Sequence, residues 1–198
     1  MEINENVKTF RAKTRKAWRK WLEKNHAKKK GVWLVMYRKD SEVPNVNYAE
    51  AVEEALCFGW IDSVKKKRDT ESSIQLFSQR KAKSNWSKLN RERVNKLTKQ
   101  GLMTPRGQAM VDLAKRTGTW TALEEVENAV IPSDLKKLFN SNVIAFNNFQ
   151  AFPPSSKKII LTWILSAKTP ETRRKRIMET VTLAKKNMRA NHYKKKRP

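Results

Sequence analysis

The spacing of apolar residues divides the chain into a strand-containing first half and a helical second half. Strands are predicted at residues 7–10, 32–37, 60–66 and 73–79, where β-branched, aromatic or alternating apolar residues run together. From Ser84 onward, apolar residues recur every three or four positions, which is typical of amphipathic helices. The pattern therefore predicts an α+β fold, in which a small, mostly antiparallel sheet with packed helices is followed by a helical C-terminal half.

Capping residues indicate where several helices begin. Helices at Arg15 and Asn47 are expected to pack on the sheet, and Glu50 follows Asn47 at the spacing of a capping box. Thr104 and Thr169 each precede a proline, the order expected of an N-cap and the first helical residue. The capping signals predict three helix starts, and the helix at Arg15 is predicted from its apolar spacing.

The last two predicted helices carry apolar stripes that should pack on each other. The stripe of the final helix is Ile177, Val181, Ala184 and Met188, and that of the helix before it is Ile159, Ile160, Trp163 and Ile164. We accordingly divide the chain into an α+β part at 1–83, a helical connection at 84–130, a helical C-terminal domain at 131–190 and a basic tail at 191–198.

The chain is strongly basic. Its 198 residues include 44 Lys and Arg but only 19 Asp and Glu, which gives a formal net charge of +25. Most of this charge lies in three blocks, residues 1–31, 62–100 and 150–198, with net charges of +8, +8 and +12. Because clustered cations attract phosphate-rich polymers, the leading prediction is a protein that binds a polyanion such as nucleic acid. The sequence contains no recognised nucleic-acid-binding motif, so the prediction depends on charge.

Several classes of protein are excluded or disfavoured. The longest apolar stretches, residues 32–37 and 159–165, are far shorter than the roughly 20 residues that span a bilayer, so no transmembrane segment is expected. The N-terminus lacks the pattern of a secretory signal peptide, and we therefore expect a cytoplasmic protein. No nucleotide-binding or hydrolase motif is present, so the sequence favours a role without catalysis and without a cofactor.

Metal and thiol chemistry are also disfavoured. Cys57 is the only cysteine, which excludes an internal disulfide, and its apolar neighbours predict a buried side chain rather than a nucleophile. With only His26 and His192 in addition, no metal site is expected.

One candidate site lies where the second helix gives way to a strand. Asp62 stands close to Trp60 and is followed by a cationic run that would keep the carboxylate ionised. Asp62 is either the acid or base of a small-molecule enzyme or a structural residue that caps a turn or pairs with a cation. We favour the structural interpretation.

A second candidate site follows the last predicted strand. Arg80, Lys81 and Lys83 precede two possible helix caps, Ser84 and Ser87, and the N–H groups of a helix start beside cations form a reasonable anion site. Trp86, between the two serines, either stacks on a base or packs in the core. Arg173 and Arg176, in the last basic block, complete the candidate anion-binding residues.

Three separate segments resemble one known family. Residues 51–63 (AVEEALCFGWIDS), 80–90 (RKAKSNWSKLN) and 168–177 (KTPETRRKRI) are similar to the YdeI/OmdA-like family, named for bacteriocin protection and OmpD association, over nearly the whole chain. The resemblance implies a bacterial protein with an OmdA-like domain at 131–190. It also implies a role in stress, antimicrobial-peptide or bacteriocin resistance through a protein partner, as an alternative to polyanion binding. A third alternative is a small-molecule enzyme with a pocket near Trp60, Asp62 and Trp86.

Overall fold

The computed structural model describes residues 7–191, so His192 and the residues after it lie outside the described part. The chain forms two compact units, Met1–Thr121 and Ala122–Pro198. Strands occur in the first half and helices fill the second, which confirms the predicted α+β class. The division of the chain into four parts stays a prediction.

A four-stranded sheet organises the first unit. Its strands are β1 (Thr9–Phe10), β2 (Gly31–Tyr37), β3 (Trp60–Lys67) and β4 (Ser72–Gln79). Their order is β1-β2-β4-β3; β1 is parallel to β2, whereas β2 and β3 both run antiparallel to β4. The expectation of a mostly antiparallel sheet is therefore confirmed.

Four helices complete the first unit within its described residues. They are α1 (Arg15–Asn25), α2 (Tyr48–Cys57), α3 (Lys88–Lys99) and α4 (Pro105–Arg116). Asn47 and Glu50 form the predicted capping box at α2, and Thr104 caps α4. The core of this unit includes the fully buried Trp18, Trp60 and Phe77.

The second unit is helical throughout its described residues. It contains α5 (Glu124–Glu127), α6 (Ser133–Asn140), α7 (Val143–Ala151), α8 (Pro154–Leu165) and α9 (Pro170–Lys185). These helices pack around a second hydrophobic core, separate from that of the first unit.

Most of the predicted stripes in the last two helices are buried. Ile177, Val181 and Ala184 of α9 lie in the core of the second unit, as do Ile160 and Ile164 of α8. The prediction that Ile159 and Met188 belong to these stripes was wrong. α9 ends before Met188, and both side chains are more than 40% exposed. None of the described helices has the length and apolar character needed to cross a membrane.

Candidate polyanion-binding site

Arg80, the first cation after β4, is buried rather than exposed. Its guanidinium carbon lies 3.6 Å from the centre of the Trp86 ring, and its Nη2 donates a hydrogen bond to the carbonyl oxygen of Asn85 at 2.5 Å. Nε and Nη1 are buried and have no hydrogen-bond partner among the described residues. Burial lowers the pKa of Arg80 to about 10, an effect that the negative charge of Asp62 partly opposes.

The structure places Trp86 in the core of the first unit, with 1% of its surface exposed. Its backbone N–H donates to the carbonyl oxygen of Thr119 at 3.2 Å, and its ring packs against Trp120 with 5.1 Å between centres. Since Arg80 also lies on this ring, a base could stack on Trp86 only after these neighbours had moved.

The polar residues around Trp86 have different surroundings. Lys81 and Lys83 are exposed. Ser84 lies in a turn, where its N–H donates to the carbonyl oxygen of Lys81 at 3.0 Å, and it caps no helix. Ser87 is the N-cap of α3, because its Oγ accepts the N–H of Asn90 at 3.4 Å. Of the two possible caps, only Ser87 is therefore correct.

Asp62 is held by a tyrosine of α2. Its Oδ2 accepts a hydrogen bond from the hydroxyl of Tyr48 at 2.6 Å. Burial and this carboxylate raise the pKa of Tyr48 to about 12, so the phenol stays protonated at neutral pH. Trp60 is buried with 1% exposure, and its Nε1 donates to the carbonyl oxygen of His26 at 3.2 Å. Both side chains are thus occupied by contacts within the fold.

The two candidate arginines of the second unit hold helices together. Arg173 donates from Nε and Nη2 to the carboxylate of Asp134 on α6, at 2.7 and 3.1 Å, which keeps the pKa of Asp134 below its usual range. Arg176 donates to the carbonyl oxygen of Trp163 and to Oγ of Ser166. The role of the candidate residues in binding stays a prediction.

A cavity of about 1030 Å³ opens at one end of the sheet in the first unit. The antiparallel pairing brings the end of β2, the end of β3 and the start of β4 to this edge, because Tyr37 pairs with Ser72 and Lys67 with Ser73. The start of α2 completes the wall with Asn47 and Tyr48.

The wall of this cavity is strongly basic. Its cations are Arg38, Lys39, Lys65, Lys66 and Lys67, and its only carboxylate is Asp69; we call it the basic cavity. Asp69 closes a turn, since Oδ1 accepts the N–H groups of Glu71 and Ser72 and Oδ2 accepts the hydroxyl of Ser72. Arg38 pairs with Asp40 at 2.7 Å on the exposed surface. The lysines therefore dominate the potential in the cavity.

A second cavity, of about 850 Å³, lies along α9 in the second unit and provides a contrast. Its wall mixes cations with the carboxylates of Glu171 and Glu179, beside the apolar Met178, Leu183 and Met188. The mixed charge of that wall makes it a poorer match for a polyanion than the basic cavity.

Sequence reasoning missed the basic cavity. Residues 36–48 supply one wall and residues 65–75 the other, so only the strand pairing reveals that they meet. The cationic run at 65–67 was the one visible signal. Trp60, Asp62 and Trp86 line neither of the two cavities. Among the described residues, no group of three or more His, Cys, Asp or Glu side chains could hold a metal ion.

Two family models match separate parts of the chain. One, described as a domain of unknown function (DUF8412), matches residues 10–110. The other, OmdA, described as bacteriocin-protection, YdeI or OmpD-associated, matches residues 128–187. No curated protein and no solved structure matches the chain.

The two matches refine the resemblance drawn from the sequence. The similarity to the YdeI/OmdA-like family is confirmed for the C-terminal part. The segments at 51–63 and 80–90, by contrast, lie within the other match, which spans more than half of the 198 residues. The chain therefore belongs to the family of the domain of unknown function DUF8412 and carries an OmdA domain at residues 128–187.

Proposed function

We propose that this protein binds polyanions at the basic cavity, with nucleic acid as the favoured ligand. The observation that carries the proposal is that Lys39 and the lysines at 65–67 are exposed and have no ion-pair partner within the described residues. All four line the wall of this cavity. Strand alternation puts Lys65 and Lys67 on the sheet face that carries Ser73 and Gln75, and lysines that line a common space can each contact a phosphate and release a counterion.

Two carboxylates of α2 are used away from the cavity, which supports the same conclusion. Glu54 is only 3% exposed and accepts hydrogen bonds from Arg15 at 2.6 Å and Arg19 at 2.7 Å, where α1 meets α2. Glu53 also binds Arg15. These two acids neutralise arginines that join helices, and neither of them lines the basic cavity.

The test compares two sets of three consecutive lysines. Replacing Lys65, Lys66 and Lys67 with Gln removes three charges while keeping the side-chain stems. Lys65 and Lys67 lie on the sheet face of the cavity, whereas Lys66, whose Nζ lies 5.4 Å from the Trp33 ring, lies on the other face. For a labelled single strand, the slope of log affinity against log salt should flatten by about 1.4, because each of the two lost phosphate contacts changes it by about 0.7. Fluorescence titration at several salt concentrations measures the slope.

The chain offers a matched control. Lys28, Lys29 and Lys30 are exposed and precede β2, at the opposite end of that strand from the cavity. Their replacement with Gln makes the same change in charge but should alter the slope much less. Equal effects of the two triple variants would show that the whole surface, rather than the cavity, attracts the strand. Wild-type affinity weaker than about 0.1 mM at physiological salt would remove nucleic acid as the ligand.

The OmdA match favours a second proposal, a resistance role through a protein partner. The description of that family names bacteriocin protection and OmpD association, and the match covers residues 128–187. A pull-down from untreated and nuclease-treated lysate separates the two proposals. Partners lost after nuclease treatment support nucleic-acid binding, whereas a protein that is retained, and that is lost on alteration of the second unit, supports the partner.

A further inference from the structure

Among residues 7–191, Tyr48 is the only exposed aromatic side chain, with 48% of its surface accessible. It belongs to the wall of the basic cavity, together with the half-buried Tyr37. The sole exposed aromatic ring of the described chain thus lies beside its unpaired lysines. Binding sites for single-stranded nucleic acid combine these two features, a cationic groove and rings on which bases stack.

The ring of Tyr48 is fixed in place. It is the first residue of α2, and its hydroxyl donates to Asp62 at 2.6 Å, so both ends of the side chain are anchored. A ring that is already positioned loses little conformational entropy when a base stacks on it. Its hydroxyl also stays protonated at neutral pH, so the ring adds no negative charge to the cavity.

Polar groups in the same wall suit a base better than a phosphate. The Oδ1 atom of Asn45 is buried and accepts no hydrogen bond from any described residue. A phosphate diester has no hydrogen to donate, whereas the edges of bases carry N–H groups. Gln75, 4% exposed, lines the cavity as well, and its side-chain amide offers both a donor and an acceptor.

We infer that the basic cavity binds single-stranded nucleic acid, with one unpaired base stacked on Tyr48 and the adjoining phosphates against Lys65 and Lys67. The inference rests on the proposed polyanion binding and names its substrate class. A volume of about 1030 Å³ is at the upper end of small-ligand pockets, which is sufficient for a nucleotide. A duplex keeps its bases stacked inside and offers no free ring face, so it can use the lysines but not Tyr48.

The experiment uses the full chain and three labelled nucleic acids, each about 16 nucleotides long. These are a single strand of deoxythymidine, an abasic strand with the same phosphates, and a duplex. Tyr48→Leu should weaken binding of the single strand by about fivefold to a hundredfold, the range for loss of one stacked base. Binding of the abasic strand and of the duplex should be unchanged. Tyr48→Phe keeps the ring and should retain most of the affinity for the single strand.

Thermal melts of both variants establish that they fold before affinities are compared. If wild type binds all three nucleic acids equally and Tyr48→Leu changes none of the affinities, the inference that a base stacks on Tyr48 is wrong, while the proposal of polyanion binding stands. If Tyr48→Phe weakens binding as much as Tyr48→Leu, the hydroxyl rather than the ring matters, and the inference is also overturned. If none of the strands binds, the proposed function itself fails.

Discussion

Arg80 and Trp86 illustrate what a local sequence pattern can miss about a single residue. Arg80 lies in a run of cations, which predicts an exposed side chain, and Trp86 lies between two serines, where the local pattern leaves both a ligand contact and a core position open. The structure buries both, because Trp86 meets Thr119 and Trp120, more than thirty residues further along the chain. Burial set by such distant contacts leaves no local periodic signal.

The structural interpretation of Asp62 depends on a contact that could be partly anticipated. Its position at a helix-to-strand turn suggested a residue that binds a neighbour. The neighbour is Tyr48, fourteen positions earlier, and only the packing of α2 on β3 identifies it. The exposed ring of Tyr48 could not be distinguished in sequence from the buried aromatic residues of the core.

Cys57 provides a residue-scale test through pH. The thiol is fully buried, and burial raises its pKa to about 11. Between about pH 9 and 11 the unfolded chain loses this proton before the folded chain does, so the free energy of unfolding should fall as pH rises. The loss attributable to the thiol is about 2 to 3 kcal/mol by pH 11. Urea unfolding of wild type and Cys57→Ala across this range measures it.

The variant itself is the control for that test, because Cys57→Ala removes the thiol but leaves every other titrating group. Above about pH 9, wild type should therefore lose stability relative to the variant as pH rises. Parallel curves for the two proteins would mean that the thiol ionises as readily in the folded chain as in the unfolded one.

At the scale of the elements, helix starts could be predicted because capping chemistry is local. Asn47 with Glu50, and Thr104 and Thr169 with their following prolines, each mark a helix start within four residues. The pairing of the strands was harder to predict from the sequence. The sequence indicated four strands, but the parallel pairing of β1 with β2 and the register shift between Asp62 and Lys65 depend on contacts across the sheet.

Gly107 determines how closely two elements approach. It lies inside α4, where a glycine normally costs stability, but a Cβ there would lie 2.1 Å from the carbonyl oxygen of Cys57 on α2. The same oxygen accepts hydrogen bonds from the N–H and hydroxyl of Thr104, at 3.1 and 2.6 Å. Gly107→Ala should therefore lower stability by about 3 kcal/mol, the upper end of the usual range for overpacking, because the added methyl group forces a shift at this hydrogen-bonded crossing.

Gly101 supplies the comparison for Gly107. An added Cβ at Gly101 meets nothing within 4 Å, although its φ of +68° is unfavourable for other residues. Gly101→Ala should cost about 1 to 2 kcal/mol from backbone strain alone. Denaturant midpoints measure both variants. Equal losses would show that the crossing of α2 and α4 tolerates a methyl group and that backbone conformation is the main constraint.

At the scale of the whole chain, the sequence established the sign of the charge but not its distribution in space. A net charge of +25 is read directly from composition. Which cations are paired depends on the fold, since Arg15, Arg19 and Arg173 bind carboxylates on other helices. Within residues 7–191, the lysines at 65–67 bind no carboxylate, so their charges remain available to a polyanion.

This excess charge should make the stability of the protein increase with salt. A net charge of +25 repels itself in the compact state. Raising ionic strength from about 0.01 to 0.15 M shortens the Debye length from about 30 to 8 Å and screens this repulsion more than it weakens close pairs. The melting temperature of the full chain should therefore rise over that range. In the variant with Gln at Lys28, Lys29 and Lys30, the melting temperature should rise less with salt, because three repelling charges are gone. A melting temperature that fell with added salt would show that the ion pairs outweigh the repulsion.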